Sequence, residues 1–330
     1  MIERKPRGRG TLRLTLLTFA IMAMCLSAGC SKRTTAETGQ EQVMRSYTRG
    51  QIMTIAATER NRYQNVYTSQ IWGVTDKASG QDFETTLLNQ IQQFFKELGT
   101  MNLLADAQEV ELTSQEKDSL KRLSEQYYEQ LSQEDKAYIG ADQEEIYQLY
   151  CEYYRADKLV SEMTKDENME ISDAEAKVIQ VQRMVLADRE TADSVLAEAQ
   201  AGGANFEAIA KKYSKDAQLN EQLERGVDDG PVAEAAFSLE QDEISGVIED
   251  NGAFYIVKCI NAYDQEATAA RKKKLAMEKK TAAFQSIYEP FADQHVVVFE
   301  NGLWDEISFD GGEYSTTTNF FELFHSYFSK

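Results

Sequence analysis

The sequence predicts an α+β fold, in which most of the chain is helical and a small antiparallel sheet flanked by helices lies in the second half. Three features of the 330 residues support this prediction. Apolar residues recur at helical spacing over residues 46–170 without a proline, and the pattern becomes strand-like near Ile171. A hairpin signal follows at Asn251 and Gly252, and helical spacing returns from residue 265.

Residues 1–29 have the organisation of a secretory signal peptide. Basic residues come first, an apolar segment of about 15 residues follows, and the sequence LSAGC ends at Cys30. The apolar segment is shorter than the roughly 20 residues of a membrane-spanning helix. We therefore expect cleavage before Cys30 and a lipid on its thiol, which would hold the protein on the outer face of the cell membrane; an uncleaved anchor is the alternative. The polar residues 30–45 predict a flexible tether.

Composition excludes several classes of function. The formal net charge of −20 argues against a nucleic-acid partner, because the phosphate backbone would repel the chain. Only two histidines exist, His295 and His325, which removes most nucleophilic and zinc chemistry, so we expect no metal and no other cofactor. Cys151 and Cys259 leave two alternatives open, a disulfide in an exported compartment or two separate thiols.

The helical segment 46–170 contains clear helix starts. Apolar spacing in the sequence FETTLLNQIQQFFKELGTMNLLADA predicts a helix over residues 83–107. Thr113 with Glu116 forms a capping-box pattern, and Ser132 and Asp142 are candidate caps of two further helices. The helix after Asp142 carries tyrosines on or near one face. Packing between helices is the simpler interpretation of these rings, and a cradle for extended chains is the alternative.

Residues 171–264 predict one strand, three helices and two strands, in that order. The strand is AKVIQVQRMVLAD, and the first two helices follow, the second capped by Asn205. Pro231 suits the first turn of the third helix. The last two strands, ISGVIED and AFYIVKCINA, are joined by the Asn251-Gly252 turn.

Residues 265–330 predict a return to helix, broken at Pro290, followed by the strand-like sequence HVVVF and a short aromatic helix at the end of the chain. Arg271 opens a basic run that extends to Lys280. Ion pairs with the acidic N-terminal helices, or plain solvation, are the favoured interpretations of this run, and contact with anionic lipid is the alternative.

Three blocks in the middle of the chain carry a family resemblance. They are ETADSVLAEAQAGGANFEAIAKKYSKD, AAFSLEQDEISGVI and FYIVKCINAYD, and in sequence and spacing they resemble the parvulin (PpiC-like) peptidyl-prolyl isomerases. The whole chain resembles, more loosely, the extracytoplasmic foldase lipoproteins of the PrsA/SurA family. That resemblance implies a helical chaperone domain over residues 46–170, completed by 265–330, into which a parvulin-like domain at 171–264 is inserted.

The resemblance also places candidate site residues. In parvulins two strands carry histidines, and the matching positions here are Arg183 and Tyr255, which become the candidate catalytic residues. The residues that line the family's proline slot match Asp228 and Val232, and Phe237 is a third candidate substrate-binding residue. Loss of both histidines, of a glycine-rich block and of two slot residues implies a degenerate, weak or inactive isomerase site.

These observations predict a membrane-anchored extracytoplasmic foldase or chaperone that acts on unfolded or partly folded exported polypeptides. An active prolyl isomerase is the first alternative, and a structural or adhesive surface lipoprotein is the second. Client identity, self-association into a homo-oligomer and the type of cell envelope are left open by the sequence.

Overall fold

The computed structural model describes residues 41–77 and 80–328. The predicted signal peptide, the predicted lipidation site Cys30 and residues 30–40 of the predicted tether lie outside the described residues. In the described part of the chain, no helix has both the length and the apolar character needed to cross a membrane.

The chain divides into two compact units. Among the described residues, the helical unit consists of those up to Glu167 together with those from Thr281 onwards, and the sheet unit is Asn168–Lys280. The domain limits expected from the sequence, 46–170, 171–264 and 265–330, stay a prediction.

The elements follow in chain order. The helical unit begins with β1 (Glu41–Met44), α1 (Arg49–Tyr67), α2 (Phe83–Ala107), α3 (Ser114–Gln130), α4 (Gln133–Ile139) and α5 (Gln143–Met163). The sheet unit contains β2 (Val178–Leu186), α6 (Arg189–Ala199), α7 (Phe206–Tyr213), β3 (Asn220–Glu224), α8 (Gly230–Ser238), β4 (Ile248–Asp250) and β5 (Ala253–Asn261). The long α9 (Gln265–Ala292) returns the chain to the helical unit, which ends with β6 (His295–Val298) and α10 (Phe320–Phe328).

Side-chain caps fix the starts of several helices. At α3 the backbone N–H of Thr113 donates to Glu116 Oε2 at 2.7 Å, and the N–H of Glu116 donates back to Thr113 Oγ1 at 3.2 Å. Ser132 and Asp142 cap α4 and α5 in the same reciprocal way. The three predicted caps are therefore confirmed, because each side chain satisfies backbone donors that lack a partner within the helix.

The core of the helical unit is aromatic where α5 meets α10. Tyr150 is fully buried and stacks on Phe320 with ring centroids 4.2 Å apart, and its hydroxyl donates to the Phe320 carbonyl at 3.0 Å. Tyr153 packs edge-on against Phe324 at 4.7 Å. The core interpretation of these tyrosines is confirmed, and a cradle open to extended chains is wrong for Tyr150 and Tyr153.

Two other expectations for the helical unit are wrong. Residues 41–44, the end of the predicted flexible tether 30–45, form β1, which pairs in parallel with β6. The helix predicted to break at Pro290 continues to Ala292. Phe284 and Tyr288 on α9 are buried in the core of this unit, and their packing offsets the backbone hydrogen bond that a proline removes.

The sheet unit is a four-stranded sheet with the order β3-β2-β5-β4, in which all neighbouring strands are antiparallel. Helices α6 and α7 pack on the face that carries Met184, Leu186 and Ile256. Helix α8 packs on the opposite face, over Ile179, Val181 and Val257. The predicted hairpin turn is confirmed, since Asn251 and Gly252 have positive φ values of 50° and 79°. Strand β3 was not predicted.

The cysteines and the basic run resolve alternatives that the sequence left open. Both Cys151 and Cys259 are free, so the disulfide interpretation is wrong. Within the basic run, Arg271 pairs with Glu224 and Lys272 pairs with Asp173, both inside the sheet unit. Pairing of these two residues with the N-terminal helices is therefore wrong.

Candidate functional site

Arg183 and Tyr255 lie on the α8 face of the sheet, beyond the area that α8 covers. On β2 and β5, Arg183 is opposite Val257 and Val185 is opposite Tyr255. Residues opposite one another share a face, so all four point to the same side. The apolar cluster under α8 includes Val257, and Arg183 and Tyr255 are half-buried at its edge.

Arg183 is held by two carboxylates and one ring. Its Nη2 lies 3.1 Å from Asp216 Oδ2, and its Nη1 lies 3.2 Å from Glu221 Oε2. Its guanidinium carbon is 5.9 Å from the centroid of the Tyr255 ring, which is within the range of a cation–π contact. The N–H of Gln218 and then the Arg183 guanidinium lower the pKa of Asp216, so this carboxylate remains charged at neutral pH.

Phe237 and Val232 belong to α8 and to the apolar cluster beneath it. Phe237 is buried to about nine-tenths, and Val232 is half-buried against the same cluster. The guanidinium carbon of Arg225 lies only 4.3 Å from the centroid of the Phe237 ring. The apolar surface that Phe237 would offer to a ligand is therefore covered on one side by a cation.

Asp228, another candidate substrate-binding residue, closes a turn. Its Oδ2 accepts a hydrogen bond from the backbone N–H of Glu224 at 2.6 Å, and its own N–H donates to the Glu224 carbonyl at 3.0 Å. The hydrogen bond satisfies a carboxylate that would be costly at an apolar slot. The carboxylate of Asp228 therefore makes a hydrogen bond within the protein.

The structure thus brings the candidate residues together in two groups. Arg183 and Tyr255 form a charged and aromatic pair, and Phe237 and Val232 share the α8 cluster. Sequence reasoning missed Glu221, Asp216 and Arg225, the residues that surround these groups. The sequence NEQLE of β3 has one apolar residue, Leu223, and no alternation that would signal a strand. Strand β3 places Glu221 across from Val181 on the same face.

The side chains gathered at this site already have partners within the sheet unit. Rotation about an X-Pro bond has a barrier of roughly 18 to 20 kcal/mol and needs an apolar slot with polar groups directed at the twisted amide. Here the polar group, Arg183, is already engaged by two carboxylates, and the apolar ring of Phe237 is covered. Among the described residues, no group of three or more His, Cys, Asp or Glu side chains is arranged to bind a metal ion.

The sheet unit is a small antiparallel sheet with two helices on one face and one helix on the other. Residues 162–272 match the family described as the PPIC-type PPIASE domain. This part of the chain is therefore similar to the parvulin-type domains of the PPIC-type family.

The chain is also similar to a protein named Foldase protein PrsA from Streptococcus mutans, with 33% identity over 144 residues. That match covers 38% of this chain and 43% of the relative, so the chain spans less than half the length of the curated relative it matches.

Among solved structures, the chain is similar to foldase protein PrsA from Streptococcus pneumoniae, with 20% identity, coverage of 72% of this chain and 98% of that one, and a TM-score of 0.26. It is similar to the peptidylprolyl isomerase PrsA from Bacillus cereus, with 17% identity, coverage of 76% and 97%, and a TM-score of 0.34.

Proposed function

We propose that this chain is an extracytoplasmic foldase or chaperone that holds unfolded or partly folded exported polypeptides and is anchored to the outer face of the cell membrane by a lipid on Cys30. The observation that carries the proposal is a parvulin-type domain at residues 162–272 in an otherwise mainly helical chain. The similarity to a protein named as a foldase supports it. The signal-like residues 1–29 and the sequence LSAGC support the anchor.

The isomerase site of this foldase is degenerate, and its activity is weak or absent. Three candidate site residues, each with its partners, support this part of the proposal. Arg183 is paired with Asp216 and Glu221, and Asp228 closes a turn. Phe237 is covered by Arg225. A catalyst of bond rotation would need these groups free to meet the substrate.

Suppression of aggregation tests the chaperone activity. The full chain, reconstituted in lipid nanodiscs, is mixed at near-stoichiometric ratios with several unrelated unfolded clients, and light scattering is followed; empty nanodiscs are the control. We expect slower and smaller scattering with each client. No suppression with any client would overturn the proposal, and tight binding of one partner alone would favour the adhesive surface lipoprotein.

The anchor is tested separately with Cys30→Ser. Metabolic labelling with a radioactive fatty acid should mark the wild-type chain and not the variant, and the variant should leave the membrane fraction. Cys151→Ser is the matched control, because it removes a thiol of the helical unit and should leave labelling unchanged.

An active prolyl isomerase is the second candidate. The contact of the Arg183 guanidinium with the Tyr255 ring at 5.9 Å favours it, because a cation and a phenol stand where the family carries two histidines. A proline-limited refolding reaction, with a slow phase of tens of seconds, decides the question. Acceleration by the wild-type chain that is lost in Arg183→Ala and Tyr255→Phe, and kept in Arg189→Ala, would support this candidate; no acceleration by the wild-type chain would exclude it.

A further inference from the structure

Arg225 lies over the face of Phe237, the candidate ligand-binding ring of the sheet unit. The guanidinium carbon is 4.3 Å from the ring centroid, well inside the distance of about 6 Å at which a cation is attracted to an aromatic face. The Arg225 side chain is exposed, whereas Phe237 is buried to about nine-tenths. The arginine therefore forms the outer cover of this ring.

The backbone of Arg225 is fixed from two sides. Its N–H donates to the Lys177 carbonyl at 2.9 Å, and its carbonyl accepts a hydrogen bond from Arg271 Nη2. Arg271 is itself only 6% exposed, and its Nε pairs with Glu224 at 3.1 Å. A buried arginine on α9 thus positions the residue that covers the ring.

The turn after Arg225 adds a second constraint. Asp228 accepts from the Glu224 N–H at 2.6 Å, and Gly226 has a positive φ of 79°, which glycine adopts without strain. With residues on both sides held, the backbone of Arg225 has little freedom. Rotation of its side chain is therefore the movement that would withdraw the guanidinium from the Phe237 ring.

We propose that Arg225 is a specificity-determining residue that covers the Phe237 ring, and that the ligand admitted when it rotates away is an apolar side chain or a proline of an extended polypeptide. This inference rests on the proposed function, since it assumes that the sheet unit binds polypeptide segments. A cation–π contact at an exposed site corresponds to a binding penalty of about 5-fold for any ligand that must displace it.

The test compares peptide binding by the full chain in nanodiscs and by its Arg225→Ala variant. A fluorescein-labelled Ala-Ala-Pro-Phe peptide is titrated and its anisotropy measured. We expect about 5-fold tighter binding by Arg225→Ala. Arg189→Ala, which removes an exposed arginine paired with Asp193 on α6, is the matched control and should bind like the wild type. Equal or weaker binding by Arg225→Ala would overturn the inference.

A second measurement shows where on the protein the tighter peptide binding arises. NMR with labelled phenylalanine should show a shift of the Phe237 ring when the peptide binds Arg225→Ala, and tighter binding without that shift would also overturn the inference. If Arg225→Ala does not fold, Arg225→Gln replaces it, because its planar amide keeps much of the packing and removes the charge. The aggregation assay uses the wild-type chain alone and does not depend on this comparison. A failure of the proposed chaperone activity can therefore be distinguished from a failure of the role proposed for Arg225.

Discussion

Asp135 is a buried carboxylate that joins two distant parts of the helical unit. It is 2% exposed, and it accepts hydrogen bonds from Ser315 Oγ at 2.8 Å and from the backbone N–H groups of Thr316 and Thr317 at 2.8 and 3.1 Å. The Ser132 hydroxyl donates to its other oxygen at 2.7 Å. The carboxylate thus satisfies donors from the start of α4 and from the segment before α10.

We predict that Asp135→Asn lowers the free energy of unfolding by about 2 kcal/mol, because an amide would direct its own donor at groups that already donate. Asp142→Asn is the matched control, since Asp142 is an exposed cap of α5 and Asn caps a helix as well as Asp. Urea unfolding followed by circular dichroism measures both variants. Equal stability of the two would contradict the role given to Asp135.

The contribution of Asp135 also depends on pH. Burial raises the pKa of Asp135, but the hydrogen bonds from Ser132, Ser315 and the Thr316 and Thr317 amides outweigh it, so the pKa lies below its usual value. Because the folded pKa is the lower one, the stabilisation is present above the unfolded pKa of about 4 and is lost as the pH falls through the folded pKa.

The effect of pH on the contribution of Glu97 to stability is opposite to that of Asp135. It is 7% exposed, its Oε1 accepts from Gln93 Nε2 at 3.0 Å, and its Oε2 finds no hydrogen-bond partner among the described residues. Burial raises the pKa of Glu97 to about 7, which the Gln93 bond only partly opposes. Since the folded pKa is the higher one, stability is retained below the unfolded pKa and falls as the pH rises towards and through 7.

We predict that Glu97→Gln matches the wild-type stability at pH 4 and exceeds it by about 2 to 3 kcal/mol at pH 8, because the amide cannot ionise. Denaturant unfolding at the two pH values measures the difference. The exposed Glu129→Gln on α3 should show no such pH-dependent gain. A constant difference between Glu97→Gln and the wild type across this range would refute the prediction.

At the level of single residues, sequence reasoning found positions but not their contacts. Arg183 and Tyr255 were found by matching strand motifs, and the register of β2 and β5 places them close together. Asp216, Glu221 and Asp135 were missed, because a carboxylate gains its role from partners that are distant in the sequence. No local spacing encodes the pairing of Asp135 with Ser315.

At the level of elements, features that depend on contacts between neighbouring residues were predicted, and features that depend on contacts between distant segments were missed. The caps at Thr113, Ser132 and Asp142 are local, since each side chain bonds to a backbone group three residues away. Strand β1 is non-local: it has only four residues, and its partner β6 lies about 250 residues further along the chain. The continuation of α9 through Pro290 likewise depends on the packing of Phe284 and Tyr288.

Helix α1 shows how close packing limits an element. It is buried on all sides over much of its length, and a Cβ added at Gly50 would lie 2.7 Å from the Cα of Ala141. We predict that Gly50→Ala lowers the free energy of unfolding by about 1 to 3 kcal/mol, although alanine favours helices, because the backbone after α4 has to move. Thermal unfolding measures the loss. Gly73→Ala should be nearly neutral, since that position faces open space, and similar effects of the two substitutions would contradict the packing argument.

At the level of the whole molecule, two separate chain segments build the helical unit, and the sheet unit lies between them in the sequence. The central blocks that resemble parvulins lie within the sheet unit. The completion of the helical core by the last residues was expected only in outline. Its basis is the set of buried rings on α10, which are Phe320, Phe321 and Phe324.

Removal of residues 295–330 should therefore unfold the helical unit and leave the sheet unit folded. Truncating one buried phenylalanine costs about 3 to 5 kcal/mol, and a whole domain is stable by only about 5 to 15 kcal/mol, so the loss of three such rings, about 9 to 15 kcal/mol, is comparable to the whole stability of the unit. The sheet unit keeps its own apolar clusters on both faces of the sheet.

Hydrogen exchange followed by mass spectrometry resolves the two outcomes: peptides from α1 and α5 should lose protection, while peptides from β2 and β5 keep it. Tyr314→Ser, which alters a side chain that is 78% exposed, should leave the protection of α1 and α5 unchanged. Retained protection of α1 and α5 in the truncated chain would show that the N-terminal helices do not need the C-terminal segment.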